Sequence, residues 1–224
     1  MLKSKKILIV LLVVVTFKFA LSIKSEKGDK VKLPQPSYNG TTSVEHAISQ
    51  RRSLRLYKDE ALSLEQVSQL LWAAQGQTAD WGGRTVPSAG STYPLEIYLV
   101  VGNVNGLEPG VYRYLSEKHE LEKLSDKDVR KALASAAWRQ ECIAKAPINI
   151  IIVAKYERTT ERYGTRGIRY VDNEIGHCGQ NIYLQCEALG LGTVAIGAFQ
   201  DALVMKALGI KEEPRYIMPV GKKK

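Results

Sequence analysis

The chain has 224 residues, 45% of them apolar, which is enough for one sizeable core and too many for a disordered polymer. Its formal charge of +9 sits in the two tails: residues 1–32 carry eight lysines against Glu26 and Asp29, and Lys222, Lys223 and Lys224 close the sequence. The body between them is neutral, which excludes a nucleic-acid partner recognised through a basic face.

At the N-terminus Lys3, Lys5 and Lys6 precede the apolar run Ile7 to Phe17, followed by Lys18 and the small-residue stretch Ala20-Leu21-Ser22. Over residues 1–22 this is the order of a signal peptide. The run is about 11 residues long against the ~20 that cross a bilayer, so a cleaved signal is the first reading and an uncleaved membrane anchor the second. Either one makes the body exported or membrane-tethered, although Lys24, Lys27, Lys30 and Lys32 leave the cytoplasmic face open. Residues 23–42, with Pro34, Pro36 and Gly40, read as an extended linker, and residues 43–224 as one domain.

Within that domain Ser43 starts a short helix ending near Gln50, and Ser63-Leu64-Glu65-Gln66 is a capping-box start to a helix running to about Ala74. Leu95 to Val101 reads as a strand, and Val111 to Tyr114 alternates like a hairpin strand. Asp126 to Trp138 reads as a helix capped by Ser125. The β-branched run Ile148 to Ala154 suits a central strand covered on both faces. Glu174 to Leu189 is helical, with Ile175, Cys178, Ile182, Cys186 and Leu189 on one face and His177 in its core, and Thr193 to Phe199 is a further strand. The order does not alternate as a doubly wound sheet does, so the fold class is α+β. Cys178 and Cys186, roughly 12 Å apart along one helix, cannot pair. The sequence has no CxxC motif and its three histidines are scattered, so no metal site is expected.

Three segments carry candidate chemistry. In Arg51-Arg52-Ser53-Leu54-Arg55 an extended chain sets residues 51, 53 and 55 on one side, able to converge on a phosphate; the competing reading is a basic helix end facing the helix dipole. Val86 to Pro94 is a small-residue loop stiffened by two prolines, and Gly190 to Phe199 places glycines where backbone can lie against a planar group. The chain has neither a phosphate-cradling GxGxxG after a strand nor a Walker sequence.

RRSLRLY, PSAGSTYPLEIY, EIGHCGQN and GLGTVAIGAF occur in that order, and with them the sequence resembles the nitroreductase superfamily of FMN-dependent oxidoreductases, in particular its SagB-type, thiazoline oxidase-like branch. The resemblance covers residues 43–222. It implies a nitroreductase-like α+β fold, a central, mostly antiparallel sheet flanked by helices, and an intertwined homodimer whose flavin sites lie at the interface. Arg51, Arg52 and Ser53 would hold the FMN phosphate and ribityl chain, and Arg55 would approach the pyrimidine end of the ring. Pro87, Ser88, Ala89 and Gly90 would line the ring. Gln180 and Asn181 match the family's polar pair, in a flavin or dimer contact or else in an ordinary buried amide network. Ile196, Gly197 and Ala198 would run along the flavin N5 edge, and Lys222, after the turn Pro219-Val220-Gly221, would complete the phosphate site. Tyr93, Phe199, Tyr163 and Tyr170 are candidates for an aromatic lid.

The implied reaction is ping-pong hydride transfer through flavin N5, with NAD(P)H or a small organic molecule as donor and no general base assigned. An exported body would sit away from cytosolic NAD(P)H, which is a tension in that reading. Two other classes compete. One is a flavin-binding partner subunit of a peptide-modifying complex without its own NAD(P)H turnover. The other is an extracytoplasmic small-molecule binder with no flavin.

Overall fold

A computed structural model describes residues 29–224, and the signal-peptide or anchor segment expected over residues 1–22 lies outside them. No helix among the described residues is long and apolar enough to cross a membrane. One antiparallel sheet of seven strands organises the chain. Its strands are β1 (Lys30–Lys32), β2 (Leu95–Val101), β3 (Gly110–Leu115), β4 (Glu120–Ser125), β5 (Ile148–Ala154), β6 (Leu191–Thr193) and β7 (Glu213–Lys222). They lie in the order β1-β4-β3-β2-β5-β7-β6. The helices are α1 (Val44–Gln50), α2 (Leu64–Gln75), α3 (Arg130–Ala136), α4 (Glu141–Lys145), α5 (Glu157–Tyr163), α6 (Arg166–Ala188) and α7 (Asp201–Leu208).

The residues of β5 show why the sheet is covered twice. Ile148, Ile150 and Ile152 join one core with α2 and α6, while Ile151 and Val153 join a second core with α3, α4 and α7. Alternate side chains of a strand leave opposite faces, so an all-apolar strand needs a helix layer on each side. All seven residues of β5 are buried, as their composition predicts. Helix α2 starts where its capping box places it: Ser63 Oγ accepts from the Gln66 N–H, and the Gln66 side chain accepts from the Ser63 N–H. Ser43 caps α1 in the same way, accepting from the His46 N–H.

Four expectations are corrected. The linker over residues 23–42 is partly structural: Lys30–Lys32 pairs with β4 as β1, and Leu33 is buried. Ser125 ends β4 and caps no helix; α3 starts only at Arg130, because Glu120 to Ser125 pairs with the neighbouring strand β3. The strand expected over Thr193 to Phe199 stops at Thr193, and beyond it only Ile196 pairs, with Ile217. The turn expected at Pro219-Val220-Gly221 is strand instead, lying within β7 between β5 and β6; Pro214 and Pro219 hide that strand from a pattern reading.

The segment leading into the domain is fastened by His119. Its Nε2–H donates to Ser68 Oγ (2.7 Å) and to the Pro34 carbonyl (3.0 Å), Nδ1 meets the Tyr114 hydroxyl at 2.7 Å, and Ser68 donates to Pro34 (2.6 Å). Burial holds the His119 pKa below its ordinary value and so favours the neutral ring. The folded state therefore resists a proton that the unfolded chain accepts. The stability contributed is whole above the unfolded pKa of about 6.5 and is lost as pH falls below it. His119→Ala is expected to cost roughly 1–3 kcal/mol at pH 8 and to flatten the acid side of the stability profile, as read by urea melts from pH 5 to 8.

Candidate functional site

The arginine segment lies along the β6 edge of the sheet. Ser53 bridges to Thr193, and the Leu54 N–H donates to the Thr193 carbonyl at 2.9 Å. Tyr57 clamps the segment from behind, its hydroxyl donating to the carbonyls of Leu54 (2.8 Å) and Pro219 (3.1 Å). The clamp requires glycine at 221, where an added Cβ would stand 2.7 Å from Tyr57 Cβ. Sequence pattern assigned no role to Tyr57, the last residue of RRSLRLY, because the Pro219 carbonyl that completes the clamp is remote in the chain.

Tyr183, on α6, is a second residue that the sequence pattern did not mark. Its ring carries the Arg51 guanidinium at 4.9 Å, its hydroxyl meets Ser53 Oγ at 2.9 Å, and the same oxygen accepts the Ala195 N–H at 2.8 Å. One tyrosine thus joins the arginine segment to the strip 195–198. Along that strip the Ile196 N–H is used by Ile217, whereas Gly197 and Ala198 are exposed and, among the described residues, their N–H groups donate to no protein atom. A cavity of about 420 Å³ opens beside Gly197 and Phe199, with Ile175, Asp172, Arg215 and Tyr216 on its walls.

Not every expected residue joins this place. Arg52 turns back and donates to the carbonyls of Ser49 (3.0 Å) and Arg51 (2.8 Å), so for this one arginine the helix-end reading holds. Arg55 is exposed, with no ion pair among the described residues. Lys222 sits opposite Leu191 on β7, and its ammonium meets Glu60 at 2.8 Å. Gln180 faces solvent. Asn181 donates to the carbonyls of Ala73 (3.1 Å) and Thr85 (3.3 Å), which is the buried amide network. His177 is exposed, contrary to a core position.

The loop Pro87–Gly90 forms a second locus further along α6. Gly90 has φ +60, and an added Cβ there would stand 2.5 Å from the Tyr163 hydroxyl. Ser91 and Tyr93 also take positive φ, 56° and 44°, a strained pair for residues with side chains. The loop is held by Arg158 on the Tyr93 carbonyl (2.9 Å), Thr159 on Thr92 (2.7 Å) and Arg162 on the Gly90 carbonyl (3.2 Å). Of the aromatic candidates, Tyr163 and Tyr170 pack edge to face at 5.2 Å, Tyr93 lies under the Arg84 guanidinium at 4.6 Å, and Phe199 lines the cavity.

Beneath this loop lies Glu174, 2% exposed. It receives Gln75 Nε2 at 3.5 Å, and Ser88 lies close by. Burial pushes its pKa up from 4.5 to about 7, against the opposing pull of Ser88, Gln75 and Arg84. A carboxyl whose folded pKa is raised contributes stability that is whole below the unfolded pKa and is lost as pH rises through about 7. Glu174→Gln, which cannot ionise, is expected to be more stable than the parent by roughly 2–3 kcal/mol at pH 8. Denaturant melts at pH 5 and pH 8 check this, the difference shrinking towards pH 5.

Comparison with known proteins gives this geometry its context. The description "Nitroreductase family" matches residues 48–222. A candidate nitroreductase of Methanocaldococcus jannaschii is 48% identical over 196 residues, 88% of this chain and 98% of that protein. The trifolitoxin-processing protein TfxB of Rhizobium leguminosarum bv. trifolii is 32% identical over 56% of this chain and 35% of its own length. The microcin B17-processing protein McbC of Escherichia coli is 24% identical over 82% of this chain and 72% of its own. Among solved structures, a candidate nitroreductase of Ralstonia eutropha JMP134 superposes with a TM-score of 0.77 at 27% identity, covering 89% of this chain and 91% of that one. A candidate nitroreductase of Desulfovibrio desulfuricans, solved in complex with FMN, shares the fold with a TM-score of 0.59 at 23% identity, over 80% of this chain and 86% of its own.

Proposed function

The chain belongs to the nitroreductase family of oxidoreductases, and on that premise we propose that it is an FMN-dependent oxidoreductase acting as a homodimer on a small organic substrate or a nicotinamide. The observation that carries the reading is the junction at Tyr183, which gathers a cation, a hydroxyl and the strip with unused N–H groups. That set fits FMN: Arg51 and Ser53 suit a phosphate and ribityl oxygens, and the Gly197 and Ala198 amides suit the edge of a flat heteroaromatic ring. When bound, the flavin supplies two-electron chemistry in which donor and acceptor use one site in turn.

The protein's own part is to bind and orient. Arg51, held over Tyr183, is pre-aligned and loses little freedom on meeting an anion. Exposed Arg55 offers a positive charge at the other end of the segment, where it would favour an electron-rich ring. Arg52 and Lys222 enter only by exchanging their present carbonyl and Glu60 partners. Asp172 and Arg215 line the cavity as polar groups able to orient a substrate, and no residue is assigned as a general base.

Likeness to TfxB and McbC favours a second reading, a flavin-binding partner subunit in a peptide-modifying complex. Near end-to-end likeness to the M. jannaschii protein supports the free-standing enzyme as the first. The absorbance spectrum of the purified protein before and after anaerobic NADH or NADPH separates them. Yellow protein that bleaches is expected. Yellow protein that does not bleach moves the assignment to the partner subunit, and colourless protein without FMN affinity defeats the flavin reading.

A further inference from the structure

Glu174 is a puzzle in a buried helix face. A carboxyl group that is 2% exposed and, among the described residues, has no ion pair is destabilising when charged, and an apolar residue would fill its place better. Its neighbours suggest why it is there. Gln75 is itself fully buried and spans two groups: its Nε2 reaches Glu174 at 3.5 Å, and its Oε1 accepts from Arg84 Nη1 at 3.3 Å. Arg84 in turn stacks on the Tyr93 ring. On the other side of Glu174 lies Ser88, whose oxygen accepts the Tyr93 N–H at 2.9 Å. Both routes out of Glu174 therefore end on Tyr93, in the stretch where Gly90, Ser91 and Tyr93 all hold positive φ.

We propose that Glu174 is a positioning residue that makes the loop Ser88–Tyr93 close under proton control, the neutral acid holding it shut and the carboxylate loosening it. This rests on the reading of that loop as a wall of the flavin site. The sign follows from burial. With the loop closed the carboxyl is dry and favours its proton; with the Ser88 end lifted, water reaches the group and favours the anion. By linkage, a proton on Glu174 favours closure and its loss favours opening. The charged and titratable groups that face it are few. Arg84 approaches from the segment after α2, and Cys178 lies one turn along α6 with its thiol held neutral by burial and by Glu174; α2 presents Gln75 and the loop presents Ser88. Arg84 eases ionisation but is held off by Gln75, so the site titrates near neutrality without being locked in either form.

Two measurements on the full chain test this. The first is the affinity for riboflavin, which lacks the phosphate whose own titration near 6 would confuse the profile. The second is amide exchange over residues 86–94 without flavin, taken as the ratio of the parent to Glu174→Gln so that intrinsic pH effects cancel. In the parent, riboflavin affinity is expected to fall roughly tenfold between pH 6 and pH 8.5, as one unit of coupled pKa shift requires, and relative protection of the Tyr93 amide to fall with it. In Glu174→Gln both profiles are expected to stay flat. A residue with a merely structural role would lower affinity equally at every pH. Riboflavin binding whose pH slope is the same in parent and variant overturns the assignment alone. Absence of riboflavin and FMN binding at every pH overturns the flavin reading and this assignment with it. If Glu174→Gln does not fold, a flat profile in the parent alone is enough to overturn the proposal.

Discussion

Arg51→Ala combined with Ser53→Ala is expected to strip FMN from the protein, weakening binding by roughly a hundredfold or more. The magnitude follows from two hydrogen bonds to a charged group at about 1.5–3 kcal/mol each, both lost at once. Arg51→Ala alone also empties the face of Tyr183, while Ser53→Ala alone leaves the Tyr183 hydroxyl with its Ala195 contact. The double variant should still fold, because Leu54 and Tyr57 anchor the segment through backbone bonds that neither substitution touches. Titration of the apo-protein with FMN, followed by quenching of flavin fluorescence, measures the effect. Retained tight binding by a folded double variant would remove the arginine segment from the site. Arg52→Ala, by contrast, is expected to change flavin affinity little and to loosen the end of α1 instead, since its guanidinium serves the Ser49 and Arg51 carbonyls.

That contrast between neighbouring arginines marks the boundary of what pattern can reveal. The anion-binding character of residues 51–55 and the inward turn of Leu54 follow from residue type and alternation, and the structure packs Leu54 against Gly192. Which arginine is spent on its own helix depends on rotamers that no spacing encodes. The same holds for Gln180 and Asn181: adjacent residues on a helix point about 100° apart, so one faces solvent and the other meets α2. The all-apolar β5 and the capped start of α2 were legible because their cause is local. Strand β7 and the Tyr57 clamp were not, because each is built from partners far apart in sequence. Glu174 fell between the two. It heads the EIGHCGQN motif but has no role there of its own, and only its burial beside Gln75 and Ser88 sets it apart.

Val44→Glu with Ile48→Glu is expected to leave a folded monomer that has lost most of its flavin affinity. The two side chains lie one turn apart on the outer face of α1, 64% and 55% exposed, while Ala47 faces inward. Leu56, 72% exposed, lies on the far side of Arg51–Arg55, so the candidate phosphate site is flanked by apolar surface that a single copy leaves in water. A second observation points to the same cover. The loop locus at Glu174 and the phosphate locus at Tyr183 are nine residues apart on α6, roughly 13 Å at 1.5 Å per residue. A second copy seated on α1 would cover that surface and can bring its own loop towards the arginine segment. Burying one Val or Ile gives about 1.5–3 kcal/mol, and a symmetric interface counts each residue twice, so four buried carboxylates should prevent assembly outright. Sedimentation read together with the flavin absorbance of the same sample decides the matter. Monomer without flavin is the expected outcome, and a monomer that keeps its colour would mean that one copy builds the whole site.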